Sequence, residues 1–235
     1  MHKIFGSGFA CLVSIASAIA QDPAAIDSAK ILNEVVIQAY AYKRPAEEVP
    51  AAVAVVSQKD FERFSNSTLL PTANTIPGVR MEERSPGSYR FSIRGSLLRS
   101  PFGVRNVKVY WNGLPFTDGG GNTYLNLLDF SAIGSMEIIK GPGGSLYGAG
   151  TGGVILLQTP VIDESKIQLA AIVGSYGLQR YLLSGATHSK KTDVHFQYAH
   201  QQADGYREQT AMRRDGVHGD LSFRLSPSHT LSSTL

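Results

Sequence analysis

The strongest constraint on the fold is a two-residue alternation of apolar and polar side chains in the last third of the chain. The apolar set and the polar set interleave through one segment: Val194, Phe196 and Tyr198 against His195, Gln197, Ala199 and Gln201. Segment 217–225 repeats this pattern, and segments 167–173 and 178–187 show weaker versions. Successive side chains of a strand point to opposite faces, so the pattern predicts strands with one apolar and one polar face.

Such strands form a half-buried sheet in water or, in a membrane, the wall of a barrel with a polar lumen and strands of ~10 residues. The connections favour the barrel. Residues 189–193 read as a tight turn and residues 202–216 as a long polar loop, and short and long connections alternate in outer-membrane barrels. The connection at 174–177 is short for an outer loop.

The first twenty residues predict a secretory signal peptide. Lys3 precedes a small and apolar run, and Ala18-Ile19-Ala20 forms an A-x-A cleavage site, so the exported chain would start at Gln21. Cys11, the single cysteine, would be removed with the signal, which excludes disulfides and thiolate metal sites. The whole chain carries a formal net charge of +3, too small to predict nucleic-acid binding.

Residues 42–160 predict a small α+β domain. Five short runs read as strands: 52–56, 90–94, 107–111, 136–140 and 154–158. Ser57 and Asp60 form a capping pair at the start of a helix, and Pro71 and Pro77 are expected to end helical structure. Before this domain, the β-branched run at 32–37 predicts either the domain's first strand or a segment that a partner protein captures by strand addition.

The densest motif spans residues 136–155, Met-Glu-Ile-Ile-Lys-Gly-Pro-Gly-Gly-Ser-Leu-Tyr-Gly and then Gly-Gly-Val-Ile. Gly141-Pro142 with its neighbouring glycines permits a tight backbone path at positive φ. A phosphate-binding loop would need Lys and Ser or Thr after its last glycine, and no Lys follows Gly148. The sequence shows no paired carboxylates, no Ser-His-Asp set and no zinc pattern at useful spacing. The histidines are scattered along the chain, so they do not predict a metal site.

This motif resembles the plug of TonB-dependent receptors, with Lys140 where arginine is usual and one spacer residue fewer. Ile93-Arg94-Gly95 and the segment 109–115 resemble two further plug elements in the expected order, with Asn112 in place of the usual aspartate. The resemblance implies an α+β plug domain followed by the start of an antiparallel transmembrane β-barrel that is incomplete at Leu235. The implied divisions are a signal at 1–20, a periplasmic segment at 21–41, the plug at 42–160 and the first barrel strands at 161–235.

The resemblance also implies site residues, each of which is an expectation. The segment that binds TonB would be Leu32, Asn33, Glu34, Val35, Val36 and Ile37. A lock between plug and barrel would use Arg94, Glu137 and Lys140, with partner glutamates beyond Leu235. The plug signature comprises Gly95, Gly141, Pro142, Leu146, Tyr147, Gly148, Gly152 and Gly153. The substrate would meet Arg84, Arg99, Phe102, Asn122 and Tyr124 on outward loops.

The implied function is active uptake across the outer membrane, without catalysis or a cofactor. The implied partners are TonB of the inner-membrane energy-coupling complex and an extracellular small molecule, and arginines and aromatic rings on the outward loops suit a ferric siderophore. Another metal chelate, cobalamin and a saccharide stay open as substrates. The alternative is a soluble periplasmic binding or regulatory protein made of the plug alone, which the alternating strands after Lys166 argue against.

Overall fold

The computed structural model describes residues 36–37, 44–45, 48–64, 67–96, 104–226 and 228–235. Its strands are β1 Val36–Ile37, β2 Arg44–Pro45, β3 Val53–Val56, β4 Val79–Glu83, β5 Tyr89–Ile93, β6 Val107–Trp111, β7 Leu114–Pro115, β8 Ser135–Lys140, β9 Gly153–Gln158, β10 Lys166–Val173, β11 Gln179–His188, β12 Thr192–Ala203, β13 Met212–Ser226 and β14 His229–Thr234. Its α-helices are α1 Gln58–Glu62, α2 Leu70–Asn74 and α3 Gly144–Tyr147, and 3-10 turns span Leu125–Leu127 and Phe130–Ala132.

The first large sheet, which we call the mixed sheet, has the strand order β3-β8-β9-β6-β7. β6 and β9 run parallel, and every other neighbouring pair is antiparallel. Its central strands are almost continuous apolar runs, so both faces of the sheet are buried, as in strands covered on two sides. Four of the five predicted strands belong to this sheet.

A short hairpin and two short helices cover the mixed sheet. β4 and β5 pair as a separate two-stranded ladder, in which Val79 and Met81 face inward while Arg80 faces solvent. The predicted capping box is confirmed, since the Asp60 carboxylate accepts hydrogen bonds from both the backbone N–H and the hydroxyl of Ser57. The expectation that Pro71 ends helical structure is wrong. Pro71 lies in the first turn of α2, where a missing N–H costs nothing.

The second large sheet, the meander, contains β10 to β14 in sequence order, all antiparallel, with β10 and β14 at its edges. Burial in the meander is the reverse of that in a water-soluble sheet, because the polar face is buried and the apolar face is exposed. The polar positions Gln197 and Gln201 of β12 are buried against the α+β domain, whereas Val194, Phe196 and Tyr198 lie on the exposed face. The exposed face carries large apolar side chains on every strand of the meander, and Ile167 on β10 has 82% of its surface accessible.

The meander strands are longer than the sequence indicated. β12 extends to Ala203 and β13 begins at Met212, so the long connection spans 204–211 and not 202–216. Cross-strand pairing of Gln202 with Arg213 keeps these polar residues in the ladder. Among the helices in the described part of the chain, none has the length and apolar character of a membrane span.

Candidate functional site

The glycine-rich segment between β8 and β9 forms a tight path that only glycine fits. Gly141, Gly148 and Gly153 all have positive φ, and α3 fills the turn between them. A Cβ on Gly153 would lie 2.3 Å from the Ile139 carbonyl oxygen, and one on Gly152 would lie 2.4 Å from Ser96 Oγ. The glycine pair therefore brings β9 against β8 and against the residues that follow β5.

The aromatic and apolar members of the predicted signature have different surroundings. The ring of Tyr147 packs edge-on against Tyr110, with centroids 5.3 Å apart, and the Tyr110 hydroxyl donates to the Tyr147 carbonyl. Leu146 is 54% exposed, and Pro142 is also exposed. Gly95 has positive φ, which suits the turn that follows β5. The signature residues thus act mainly through the backbone conformation that glycine allows, and among them the side chain of Tyr147 packs against a neighbouring ring.

Two of the three predicted lock residues lie at one turn. The Arg94 side chain runs beside Gly78 and Gly141, where a Cβ added to either glycine would lie 3.9 Å from it. Lys140 Nζ donates to the Pro77 carbonyl at 2.8 Å. Among the described residues, no carboxylate lies within salt-bridge distance of either cation. Arg94 itself has φ 51°, an uncommon value for a residue with a side chain. The structure therefore forms a basic cluster at the Pro77-Gly78 turn.

Glu137 does not belong to this cluster. It lies in the middle of β8 and is 5% exposed, whereas Lys140 ends that strand. Residues three apart in a strand point to opposite faces, so Glu137 and Lys140 face away from each other. The role of Glu137 in a lock stays a prediction.

The three predicted substrate residues that the structure describes have different surroundings. Arg84 lines a cavity of about 200 Å³ together with Tyr206 and Arg207 of the 204–211 loop. Asn122 instead closes its own loop, because its backbone N–H donates to the Asp118 carboxylate at 2.8 Å. Tyr124 is half exposed next to the 3-10 turn at Leu125–Leu127. Arg99 and Phe102 lie outside the described residues.

Only the end of the predicted TonB-binding segment is described. Val36 and Ile37 form the two-residue strand β1, which pairs antiparallel with Arg44 and Pro45. Leu32, Asn33, Glu34 and Val35 lie outside the described residues. Strand geometry at Val36 and Ile37 fits both alternatives for this segment, a first strand of the domain and a segment that a partner protein captures by strand addition.

The closest electrostatic contact between the α+β domain and the meander was not predicted. The Arg180 guanidinium of β11 donates two hydrogen bonds, of 2.7 and 3.0 Å, to the Asp129 carboxylate. Arg214 of β13 adds a contact of 3.3 Å to the same carboxylate. The side chains of Arg180 and Asp129 are only 2% and 7% exposed, so this is a buried and bidentate ion pair.

The polar groups around this ion pair are also partnered. Arg180 donates to Ser131 Oγ and to Gln201 Oε1, and Gln197 donates to Ser131 Oγ at 2.8 Å. Arg180, Gln201 and Arg214 are direct cross-strand partners and form one row across three strands. We call Asp129, Ser131, Arg180, Gln201 and Arg214 the anchor network.

The charge state of the anchor network follows from its burial and its partners. Burial alone would raise the pKa of the Asp129 carboxyl, but the hydrogen bonds and charge of Arg180, with Ser131 and Arg214, hold that pKa below its ordinary value. Next to the network, burial and the nearby Glu83 carboxylate raise the pKa of Tyr89. Asp129 is therefore a carboxylate and Tyr89 a neutral phenol at neutral pH.

A cavity of about 280 Å³ adjoins the anchor network. It is lined by Glu83 and Tyr89 from the α+β domain and by Gln201 and Arg214 from the meander. Because its walls come from both parts of the chain, its size depends on how the anchor network holds them together.

Comparison with known proteins identifies the domain that carries these features. Residues 45–155 match the family described as TonB-dependent Receptor Plug Domain. The vitamin B12 transporter BtuB of Vibrio vulnificus strain CMCP6 is 28% identical over 145 residues, which is 59% of this chain and 23% of BtuB. This chain therefore spans about a quarter of the length of that relative.

Solved structures share the fold at low identity. The pyoverdine outer membrane receptor FpvA of Pseudomonas aeruginosa PAO1 superposes with a TM-score of 0.71 at 21% identity, covering 85% of this chain and 29% of FpvA. The alcaligin outer-membrane receptor FauA of Bordetella pertussis gives 0.61 at 20% identity, covering 84% and 33%. The predicted fold class is confirmed: the α+β domain is a plug, and the meander resembles the first strands of such a receptor's barrel.

Proposed function

From the membership of residues 45–155 in the TonB-dependent receptor plug family, we propose that this chain is the plug end of an outer-membrane receptor. The receptor takes up a scarce extracellular substrate with energy supplied through TonB. The relatives named above are transporters and receptors, which supports uptake and not catalysis as the activity.

The observation that carries this proposal is the inverted burial of the meander. Its exposed face holds Phe196, Val217 and Leu221, while its buried face carries glutamines, histidines and arginines against the plug. A soluble plug-only protein would place this apolar face in water, where large apolar patches are unfavourable or bind a partner. In an outer-membrane barrel the same face contacts lipid.

The proposed mechanism assigns a role to each region. TonB captures residues 32–37 by strand addition, which provides main-chain hydrogen bonds through which force is transmitted. The plug then moves or partly unfolds, and the substrate passes into the periplasm. The basic cluster of Arg94 and Lys140 and the anchor network hold the plug until that force arrives.

We further propose a ferric siderophore as the substrate. Support comes from the cavity beside Arg84, to which the 204–211 loop contributes Tyr206 and Arg207, with the Arg207 guanidinium 4.7 Å from the Tyr206 ring centroid. Cations and aromatic rings suit a chelate that carries negative charge. FpvA and FauA are named as receptors for pyoverdine and alcaligin, whereas BtuB is named as a transporter of vitamin B12, so cobalamin is the competing substrate.

The test measures uptake and binding in cells that lack their own receptors for these ligands. The full-length receptor is expressed as wild type, as Val36→Pro and as Val36→Thr, and cells receive radiolabelled ferric pyoverdine, ferric alcaligin or cobalamin. We expect uptake of a ferric siderophore by the wild type and by Val36→Thr, which keeps the backbone N–H. Proline removes that donor, so Val36→Pro should bind the ligand normally but not import it.

The outcomes separate the parts of the proposal. Unimpaired uptake by Val36→Pro would refute strand addition at this segment. Uptake of cobalamin alone would overturn the siderophore assignment and leave the receptor assignment intact. Recovery of the full-length protein in the soluble periplasmic fraction would overturn the receptor assignment itself.

A further inference from the structure

Three potential metal ligands meet on the plug-facing side of the meander. They are His195 on β12 and His218 and Asp220 on β13. Gln197, which donates to Ser131 of the anchor network, lies next to them on the same face. His195 and Asp220 are direct cross-strand partners, and His218 lies two residues before Asp220 on the same face. Side chains that are scattered in the sequence are therefore brought together by the register of two strands.

The distances suit a small cation. The ligand atoms of the three residues all lie within 4.8 Å of one another, with Asp220 Oδ2 at 2.6 Å from His218 Nε2 and 3.7 Å from His195 Nδ1. Bonds of about 2.0–2.2 Å at tetrahedral angles place ligand atoms ~3.3–3.5 Å apart. A cation between these atoms requires Asp220 Oδ2 and His218 Nε2 to move apart by about 0.8 Å, by the same bond lengths.

One ligand atom lacks a partner. His195 is 6% exposed, and its Nδ1 makes no hydrogen bond within the described part of the chain, although it faces the Asp220 carboxylate. A buried polar nitrogen without a partner carries a desolvation cost. Coordination of a cation by this nitrogen would remove that cost.

The surrounding groups hold the carboxylate in a suitable orientation. Thr234 Oγ1 and Asn112 Nδ2 donate to Asp220 Oδ1 at 2.8 and 3.3 Å, which leaves Oδ2 directed at the histidines. On the far side of His195, Ser184 Oγ lies 3.5 Å from Nε2. Metal ligands in proteins are commonly oriented by such outer hydrogen bonds.

A route toward the site is also present. His195 lines a cavity of about 180 Å³ between the plug and the meander, through which a cation can approach its side chain. On the other side, the Trp111 ring packs edge-on against His218 with centroids 5.3 Å apart. Three protein ligands, completed by a water molecule, are the usual ligand set of a three-ligand zinc site.

We propose that His195, His218 and Asp220 bind a first-row divalent cation, with Zn²⁺ as the best fit to two imidazoles and one carboxylate. The bound ion joins β12 to β13. Because Asn112 of the plug donates to Asp220 and also accepts from the Thr159 backbone, the ion connects these wall strands to the plug hairpin. This site is separate from the substrate loops and from the TonB-binding segment.

Other histidine and aspartate pairs on the same strands provide an internal comparison. His200 Nδ1 lies 2.7 Å from Asp215 on the neighbouring strand, but among the described residues no third ligand joins them. Two residues of this kind can form a hydrogen bond, but they provide too few ligands for a metal site. His200→Gln on β12 is therefore a matched control for His195→Gln.

The experiment titrates the full-length receptor, purified in detergent and stripped with a chelator, with Zn²⁺ in competition with a fluorescent indicator. We expect one equivalent to bind the wild type and the His200→Gln variant. Affinity should fall about 100-fold or more in His195→Gln and His218→Gln. It should fall about 10-fold in Asn112→Ala, which removes the outer hydrogen bond to Asp220 together with the acceptor of the Thr159 N–H. Co²⁺ in place of Zn²⁺ should give the visible absorption of a site with imidazole ligands, lost in the same variants.

Two results would overturn the proposal. One is the absence of Zn²⁺ binding to the wild type at concentrations up to about 100 μM, since sites of this type bind far more tightly. The other is an equal loss of affinity in His200→Gln and His195→Gln. Circular dichroism and heat-modifiable gel migration establish that each variant is folded before it is titrated.

Discussion

The mixed sheet and the meander use the same building element in opposite ways. The mixed sheet buries the apolar residues of both faces, and Ile138 and Val154 in its centre are inaccessible to solvent. The meander exposes its apolar face and buries a polar one, with Arg180 as the largest side chain that is almost fully buried. The mixed sheet therefore has protein on both sides, whereas in the proposed receptor the meander would have protein on one side and lipid on the other.

This difference shows what holds the two regions together. A polar face cannot pack against the plug through the hydrophobic effect, so the contact depends on satisfied hydrogen bonds and ion pairs. The anchor network and the contacts of Asn112 with Asp220 and Thr234 supply these. In the proposed uptake mechanism the plug is held in place and then released, and polar contacts of this kind suit both steps because water can replace them.

The largest effect should follow a charge in the mixed sheet. Ile155 lies in β9 between Val109 and Ile138 and is 2% exposed, so Ile155→Lys would bury a cation without a partner. We expect a loss above about 5 kcal/mol, enough to unfold the plug, because this is among the most damaging classes of substitution. Trypsin should then cleave within residues 45–155, while the heat-modifiable barrel band persists.

Ile155→Val is the control for this variant, with an expected cost of about 1 kcal/mol. A plug that resists trypsin in Ile155→Lys would contradict a core at this position. Loss of the barrel band together with the plug would show that the two regions do not fold independently.

A smaller effect is expected at the contact between the two regions. Asp129→Asn keeps the shape of the side chain but leaves Arg180 and Arg214 without a carboxylate. Breaking a buried ion pair costs about 3–5 kcal/mol, so the thermal midpoint of the plug in the purified receptor should fall and trypsin should release the plug sooner. Glu164→Gln, a change at an exposed carboxylate, should alter neither quantity.

The pH dependence of this variant tests the cause. The folded pKa of Asp129 is depressed, so its contribution is complete above the ordinary carboxyl pKa of about 3.9 and is lost as the pH falls through the folded value. The difference in midpoint between the wild type and Asp129→Asn should therefore be constant near neutral pH and shrink below about pH 4. A difference that persists unchanged in strong acid would mean that packing, and not charge, is responsible.

The sequence predicted the parts of the fold that depend on local pattern. The capping box at Ser57 and the strands at 107–111 and 154–158 were visible because residue type and spacing decide them. β4 was not among the predicted strands, although Val79 and Met81 alternate with the charged residues Arg80 and Glu82. That alternation was a usable signal.

The anchor network could not be read from the sequence in the same way. Asp129 and Arg180 are 51 residues apart, and only the register of β11, β12 and β13 puts Arg180, Gln201 and Arg214 in one row. An arginine on the polar face of a barrel strand reads equally well as a solvated lumen residue. The same holds for His195 and His218, whose polar positions were visible but whose convergence on Asp220 depends on strand pairing.

The smallest of the three effects should come from the exposed face of the meander. Phe196 lies near the middle of β12 and points away from the plug, so Phe196→Lys would place a charge where lipid is expected. A lysine near the midplane costs a barrel about 2–4 kcal/mol, whereas Phe196→Leu keeps an apolar side chain and should be nearly neutral. The measurement is the amount of heat-modifiable receptor in the outer membrane, with trypsin resistance of the plug as a second readout.

Normal insertion of Phe196→Lys would mean that this face contacts water, and the contrast between the two sheets would then have a different origin from the membrane. Reduced insertion with an intact plug would tie the inverted burial of the meander to lipid and leave the mixed sheet as the independently stable part of the chain.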